Sequence, residues 1–201
     1  VGPLSTVSCV TDSEAGTKAG KRERLIEAAV RVFYQQGVEK TTIADIARAA
    51  DVPVGNVYYY FKTKDQLIEA AIGSHARILE AVIMASDRHE TPAQRLKALI
   101  AGWVADRDQT VRYGCPFGTL SSELDKRGDG LDTAAADVMR VLVNWAERQF
   151  AAMGRADARE LAVAYVAAYQ GISLLTNTFR DPELMVAEGA RLARWIDSLA
   201  S

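Results

Sequence analysis

The sequence predicts an all-α fold of about nine helices, and three observations carry that expectation. Apolar residues recur at intervals of three and four along most of its 201 residues. No run alternates apolar and polar residues between hairpin dipeptides. Threonines with an acid or a glutamine three residues on stand at the heads of several periodic stretches, as helix-opening residues do.

The first helix is expected over about 21–36, where Leu25, Ala28, Ala29, Val32 and Phe33 share one face and Gly37 follows as a stop. Thr42, with Asp45 in the capping position, opens a second helix that turns Ile43, Ile46, Ala47 and Ala50 inward. Asp51-Val52-Pro53 breaks the pattern, and a third short helix follows from about Val54 to Tyr60. Thr63 to Gln66 is a capping sequence for a long fourth helix to about Ser86, and Thr91 to Gln94 repeats the device with Pro92 in the first turn. Further helices are expected over about 92–112, 116–127, 132–153, 157–179 and 182–200, separated by Gly128-Asp129-Gly130, Gly154 and Asp181-Pro182. The Ser/Thr/Gly-rich residues 1–20 read as a flexible N-terminal arm.

Composition narrows the function. Half of the chain is apolar and a quarter charged, enough for a sizeable core. No apolar run approaches the roughly 20 residues that span a bilayer, and the N-terminus lacks the basic start and apolar centre of a signal segment, so the expected location is cytoplasmic, with no membrane partner. The net charge of −2 hides an uneven distribution. Residues 18–64 carry nine Lys/Arg against five Asp/Glu, whereas 65–201 carry fifteen against nineteen. A basic segment on an acidic body suits a partner that presents phosphate to one part of the molecule only.

The basic segment contains a conspicuous run, Tyr58-Tyr59-Tyr60-Phe61, ringed by Asn56, Lys62 and Lys64. Three short helices, the second and third joined by a tight turn, make a helix-turn-helix, whose last helix lies in the major groove of DNA. On a helix beginning at Val54, Val57 and Phe61 face inward, while Asn56, Tyr59 and Lys62 share another face flanked by Tyr58 and Tyr60. The run thus supplies both core anchors and hydroxyl-tipped donors to phosphate or base edges. Lys21, Arg22 and Arg24 at the first helix suit either phosphate contact or a solvated helix end.

These residues resemble the DNA-binding segment of the tetracycline-repressor (TetR) family of bacterial transcription regulators. The resemblance rests on Thr42, Ile43, Ile46, Ala47, Ala50, Val52, Gly55, Val57, Tyr58, Tyr60, Phe61, Lys64 and Leu67, after a helix ending in Phe33 and Gly37, and is specific over about 21–67. It implies a DNA-binding domain over 21–66 and a ligand-binding and dimerisation domain over 67–201. It further implies that Thr42 contacts phosphate, that Gly55 and Asn56 enter the groove, and that Tyr58, Tyr59 and Lys64 contact backbone or bases. Two positions depart from the family pattern. Asp51 stands where glycine is usual, which requires it to adopt a left-handed conformation. Pro53 and Val54 replace polar residues at the start of the recognition helix, so that Val54 offers an apolar contact, as to a thymine methyl, in place of a phosphate contact.

For the body, the resemblance implies a pocket for a small hydrophobic ligand. Candidate lining residues by inward phase are Trp103, Phe117, Leu120, Met139, Tyr165 and Tyr169, with Gln170 or Asn177 to orient a ligand; plain core packing is the alternative for each apolar one. Small residues Ala164, Ala167, Ala168 and Gly171 permit close helix approach, either within the chain or in the homodimer that the resemblance places on the last two helices, a symmetry suited to paired half-sites in a double-stranded operator. Cys115, just before Pro116 and near Arg112, is a candidate redox residue because a helix start favours thiolate, against the alternative of an inert buried thiol. The two cysteines, Cys9 and Cys115, do not read as a disulfide framework.

The expected function is therefore a dimeric, sequence-specific DNA-binding regulator, a repressor released by a small hydrophobic ligand. The alternatives are an electrophile or oxidant sensor acting through Cys115 and a ligand-independent DNA-binding protein. An enzyme is disfavoured: the two histidines, His75 and His89, lack metal spacing, and no Gly-rich phosphate loop or nucleophile elbow is present. Glu123, Asp125, Asp129 and Asp132 miss calcium-loop spacing and read as solvated charges. No cofactor or metal is expected.

Overall fold

The computed structural model describes residues 20–200, and every regular element among them is a helix. In chain order these are α1 (Lys21–Gln36), α2 (Ile43–Ala49), α3 (Val54–Tyr60), α4 (Lys64–Ser86), α5 (Pro92–Ala105), α6 (Arg107–Tyr113), α7 (Pro116–Leu124), α8 (Leu131–Ala152), α9 (Ala158–Phe179) and α10 (Pro182–Leu199). The all-α class is as expected. The arm expected over 1–20 lies, apart from Gly20, outside the described residues, as does Cys9.

The local signals act much as the sequence indicates. Thr42 and Asp45 form a reciprocal capping box at α2, and Thr91 and Gln94 form another at α5. At α4 the device is shifted: the Thr63 hydroxyl accepts the Gln66 amide at 3.2 Å, while the Gln66 side chain reaches one residue further back to accept the Lys62 amide at 2.6 Å. The stretch expected as one helix over about 92–112 is divided at Asp106, where φ −93° and ψ 13° leave the helical region, so α5 and α6 stand in its place.

The described residues form two compact units. One comprises 20–78 with 116–138, the other 79–115 with 139–200. In the first, α1 packs on α2 and α7, and α2 on α3. Its core is Leu25, Ala29, Ile46, Ala47, Val57, Leu67 and Ile68, all inaccessible to solvent. The inward residues read from the helical spacing are these same ones, with Phe33 and Phe61 beside them. Gly37 ends α1 at φ 85°, a conformation that disfavours any side chain.

In the second unit α10 packs against α5, α6 and α9, and α6 against α9. Its largest buried side chains include Trp145, Tyr165, Phe150, Leu96, Leu99, Met185 and Ile196. The polar ends of two aromatics are satisfied internally: Trp145 donates through Nε1 to Asp87 at 2.9 Å, and the Tyr165 hydroxyl to the Leu96 carbonyl at 2.9 Å. Burial also pushes the Tyr165 phenol well above its ordinary pKa. Helix α10 approaches α5 so closely at Gly189 that a Cβ there would stand 2.6 Å from Val104 Cγ2.

Candidate nucleic-acid interface

The interface is built on α2, the turn Ala50–Pro53 and α3, all in the first unit. Asp51 holds φ 51°, the left-handed conformation that its departure from glycine required. The turn is fastened by backbone bonds from Val52 N–H to the Ala47 carbonyl at 3.0 Å and from Ala50 N–H to the Ile46 carbonyl at 2.9 Å. Arg31 reaches from α1 to the Ala49 carbonyl at 2.9 Å and satisfies the end of α2.

Helix α3 divides its residues cleanly. Val57 is fully buried and Phe61, at its C-terminal end, almost so. Val54, Gly55, Asn56, Tyr58 and Tyr59 are exposed, Tyr59 by 78% of its surface. A Cβ placed on Gly55 would meet no atom within 4 Å, and its φ is not positive. Neither packing nor backbone geometry within the chain demands glycine at that position. A bare backbone on an exposed helix face instead suits close approach by something outside the chain. Tyr59 and Tyr60 meet edge to face at 5.0 Å, which restricts the exposed Tyr59 ring before any partner arrives.

The cationic candidates are held in place by the fold. Lys62 donates from Nζ to the Tyr58 carbonyl at 2.6 Å, and Lys64 from Nζ to the Glu39 carbonyl at 3.3 Å, so both ammonium groups stand beside the α2–α3 face. Arg22 lies over the Phe61 ring at 5.3 Å, while Lys21 is exposed at the start of α1. Thr42 is exposed at the start of α2, its hydroxyl bonded to the Asp45 carboxylate at 2.6 Å. The side-chain and backbone hydrogen bonds from Thr42 hold the Asp45 carboxyl below its usual pKa, so the cap persists in acid longer than an ordinary aspartate would allow.

The candidate ligand residues fall in different units. Phe117 and Leu120, on α7, belong to the first and border cavities beside His75. Trp103, Met139, Tyr165, Tyr169 and Gln170 belong to the second. There Trp103 stacks on Tyr169 at 3.8 Å and leans on Tyr165 at 5.2 Å, a compact aromatic group that packs against itself. Gln170 directs Nε2 to Cys115 Sγ at 3.5 Å and to Met139 Sδ at 3.8 Å. Asn177 spends its amide on the Val111 carbonyl at 2.9 Å. Cys115 is buried, 4% exposed, a setting that favours the inert thiol over a sensor open to oxidants.

Two residues carry more than their sequence reading assigned. Glu123 is not a solvated charge: its Oε2 accepts the Val38 amide at 2.6 Å and the Glu39 amide at 3.4 Å, in the turn between α1 and α2. Those amides are 84 or 85 residues distant, so no local pattern announces the contact. Of the other three acids, Asp129 pairs with Arg127 at 2.7 Å and Asp132 accepts the Gly130 amide at 3.0 Å. Arg127 also bridges to Asp65 at 2.7 Å. The second residue is His75, buried on α4, with its edge against Phe117 at 5.1 Å and Nδ1 unpartnered. Its inward phase with Ile68, Ala71, Ile72 and Leu79 was the available signal.

Comparison with known proteins agrees with this geometry. Residues 25–71 match the family model for bacterial regulatory proteins of the tetR family, and residues 92–189 match that of the LmrA/YxaF-like transcriptional regulator C-terminal domain. The HTH-type transcriptional regulator YxaF of Bacillus subtilis is 27% identical over 183 residues, covering 86% of this chain and 94% of that protein. The HTH-type transcriptional regulator TtgR of Pseudomonas putida is 47% identical over 53 residues, 26% of this chain and 25% of that one. A TetR transcriptional regulator from Legionella pneumophila shares the fold with a TM-score of 0.80 at 16% identity, over 91% of this chain and 98% of that one. With a helix-turn-helix matched at one end and a regulator body at the other, the chain belongs to the tetR family of transcriptional regulators and is a DNA-binding regulator of transcription.

Proposed function

We propose that this chain is a dimeric repressor, acting in the cytoplasm, that binds a two-fold operator through α3 and is released by a small hydrophobic ligand. The observation that carries the reading is the exposed face of α3. Gly55, Asn56, Tyr58 and Tyr59 stand free of the chain's own packing, flanked by Lys62 and Lys64. Gly55 and Asn56 enter the groove, the two tyrosines contact bases or backbone, and Lys64, Thr42, Lys21 and Arg22 meet phosphate.

The dimer is supported by α9 and α10. Val163, Ala164, Ala167, Gly171, Leu174 and Leu175 form a continuous exposed stripe on α9, ending near Phe179, which is 65% exposed. A Cβ on Gly171 would meet nothing within 4 Å, so the small residues are not there for packing inside the chain. Val186 and Ala190 continue an exposed apolar face on α10. Two copies joined on these helices would bury the stripe and place two α3 helices for successive turns of DNA. The ligand is a hydrophobic molecule of undetermined structure, with Trp103, Tyr165, Tyr169, Met139 and Gln170 as its candidate neighbours in the second unit and Phe117 and Leu120 in the first.

The test is a sedimentation measurement of the purified chain, followed by titration of a DNA duplex selected from random sequence against a library of hydrophobic compounds. The reading expects a dimer, a specific duplex, and release of that duplex by at least one compound. A monomer that binds the selected duplex unaffected by every compound would leave the ligand-independent alternative in its place.

A further inference from the structure

The neighbourhood of His75 has no role in the reading so far. Its ring is 95% buried among apolar side chains, and Nδ1 has no hydrogen-bond partner. A buried imidazole nitrogen left in that state is disfavoured unless something supplies the missing bond. Two cavities meet at the ring. Phe33, Tyr34 and Pro116 help line one, and Phe117, Ser121 and Val138 the other, while His75 and Leu120 border both. Each as it stands is of the order of one water molecule in size.

The walls are unequal. The α1 and α4 side chains belong to the same packed core as the helix-turn-helix, whereas Pro116, Phe117, Leu120 and Ser121 all sit on α7. Anything larger than water must therefore displace α7. That helix is fastened at its far end by Glu123, whose carboxylate holds the Val38 amide at 2.6 Å and stands 3.0 Å from the place a Cβ on Gly37 would occupy. Site and fastening share one short helix, with Leu120 and Glu123 a single turn apart.

We propose that a small neutral molecule with an apolar body and one hydroxyl, of the class of alicyclic alcohols, binds beneath α7 with its hydroxyl on His75, and that it enters as Glu123 leaves the α1–α2 turn. The hydroxyl fits either tautomer, since it both donates and accepts. A charged ligand is excluded by the absence of any charged residue among those lining the two cavities. Because the enlarged site exists only when Glu123 has let go, ligand and fastened turn oppose one another reciprocally. The turn leads directly into Thr42, the cap of α2, so occupation loosens the start of the helix-turn-helix. The effect on DNA rests on the repressor reading above; the site itself does not.

The probes are cyclopentanol and cyclopentane, titrated by calorimetry into the full chain without DNA. In His75→Leu, the affinity for cyclopentanol relative to cyclopentane falls by roughly tenfold, the worth of one buried hydrogen bond. Glu123→Ala binds both probes at least about fivefold more tightly, since the closed state has lost its fastening. Leu120→Ala, which enlarges the space without touching a polar group, also strengthens cyclopentanol binding and serves if His75→Leu fails to fold. An unchanged alcohol preference in His75→Leu, or unchanged affinity in both Glu123→Ala and Leu120→Ala, overturns the proposal. The selected duplex is then titrated with and without cyclopentanol. Weaker duplex binding supports the link through Glu123, and equal binding overturns that link. Calorimetric binding in a chain that selects no duplex sinks the repressor reading while the site stands.

Discussion

Arg22 lies over the ring of Phe61 with its guanidinium carbon 5.3 Å from the ring centre, joining the first turn of α1 to the residue that ends α3. The same phenylalanine is anchored in the core beneath, 3% exposed. The cation that is to meet phosphate and the helix that is to enter the groove are thus positioned by one aromatic side chain. Phe61→Leu keeps an apolar anchor but removes the cation–π contact. It is expected to weaken DNA binding by about 0.5–1 kcal/mol beyond any loss of stability, measured as the difference between operator affinity and melting temperature effects.

Gly55→Ala separates folding from recognition. The added methyl meets nothing in the chain, and alanine favours a helix over glycine by up to about 1 kcal/mol, so the variant is expected to be at least as stable as the parent. In the groove the methyl stands between α3 and DNA, and operator affinity should fall at least about tenfold. Thermal denaturation together with fluorescence anisotropy checks both halves.

Gly189→Ala makes the opposite prediction. Its Cβ would lie 2.6 Å from Val104 Cγ2 and 3.4 Å from Ile100 Cγ2, where α10 crosses α5. Overpacking of this kind costs about 1–3 kcal/mol, read as a lowered denaturation midpoint, with the α3 face untouched.

Acid should weaken the first unit through His75. Burial holds its pKa down at about 4 against an ordinary 6.5, so between those values the unfolded chain binds a proton that the folded chain does not. Stability from this source is complete above about pH 6.5 and is lost as pH falls toward 4. The gap corresponds to about 3 kcal/mol. Tyr34 is the other titratable side chain lining the cavities. His75→Leu is expected to flatten the pH dependence of unfolding across that window.

Asp106 behaves in reverse. At the break between α5 and α6 its Oδ1 is buried without a partner, and burial, with a smaller contribution from nearby Asp108, pushes its pKa up to about 6. The folded chain therefore holds the proton more tightly, and its stability drops as pH rises from about 4 to about 6. Asp106→Asn removes the penalty, so it should raise the melting temperature at about pH 7 more than at about pH 4.

The helices, their caps and the inward residues of the basic segment were legible because each depends on neighbours within four residues. Thr42 with Asp45 and Thr91 with Gln94 are such pairs, and so is the phase of Leu25, Ala29 and Phe33. Even the strained Asp51 was readable, because a tight turn permits few conformations. The break at Asp106 was not, since the apolar spacing continues through it from Trp103 to Thr110 and Val111. Glu123 and Val38 lie 85 residues apart, and only folding brings them together. In the candidate site, the α3 face followed from one short repeat. The ligand residues did not separate from core, because Trp103, Tyr165 and Tyr169 satisfy the same inward spacing whether they line a pocket or pack on each other, as they do.

Recognition through α3 is tested most directly by selecting duplexes from random DNA with the parent chain and measuring the affinity of Tyr59→Phe for the selected sequence. Tyr59 is 78% exposed, so loss of its hydroxyl should leave stability within about 0.5 kcal/mol. The parent is expected to enrich a two-fold sequence whose binding weakens steeply with salt, and Tyr59→Phe to bind that sequence about five- to tenfold more weakly at unchanged melting temperature. Enrichment of no sequence, or equal affinity in Tyr59→Phe and also in Lys64→Ala, would contradict it.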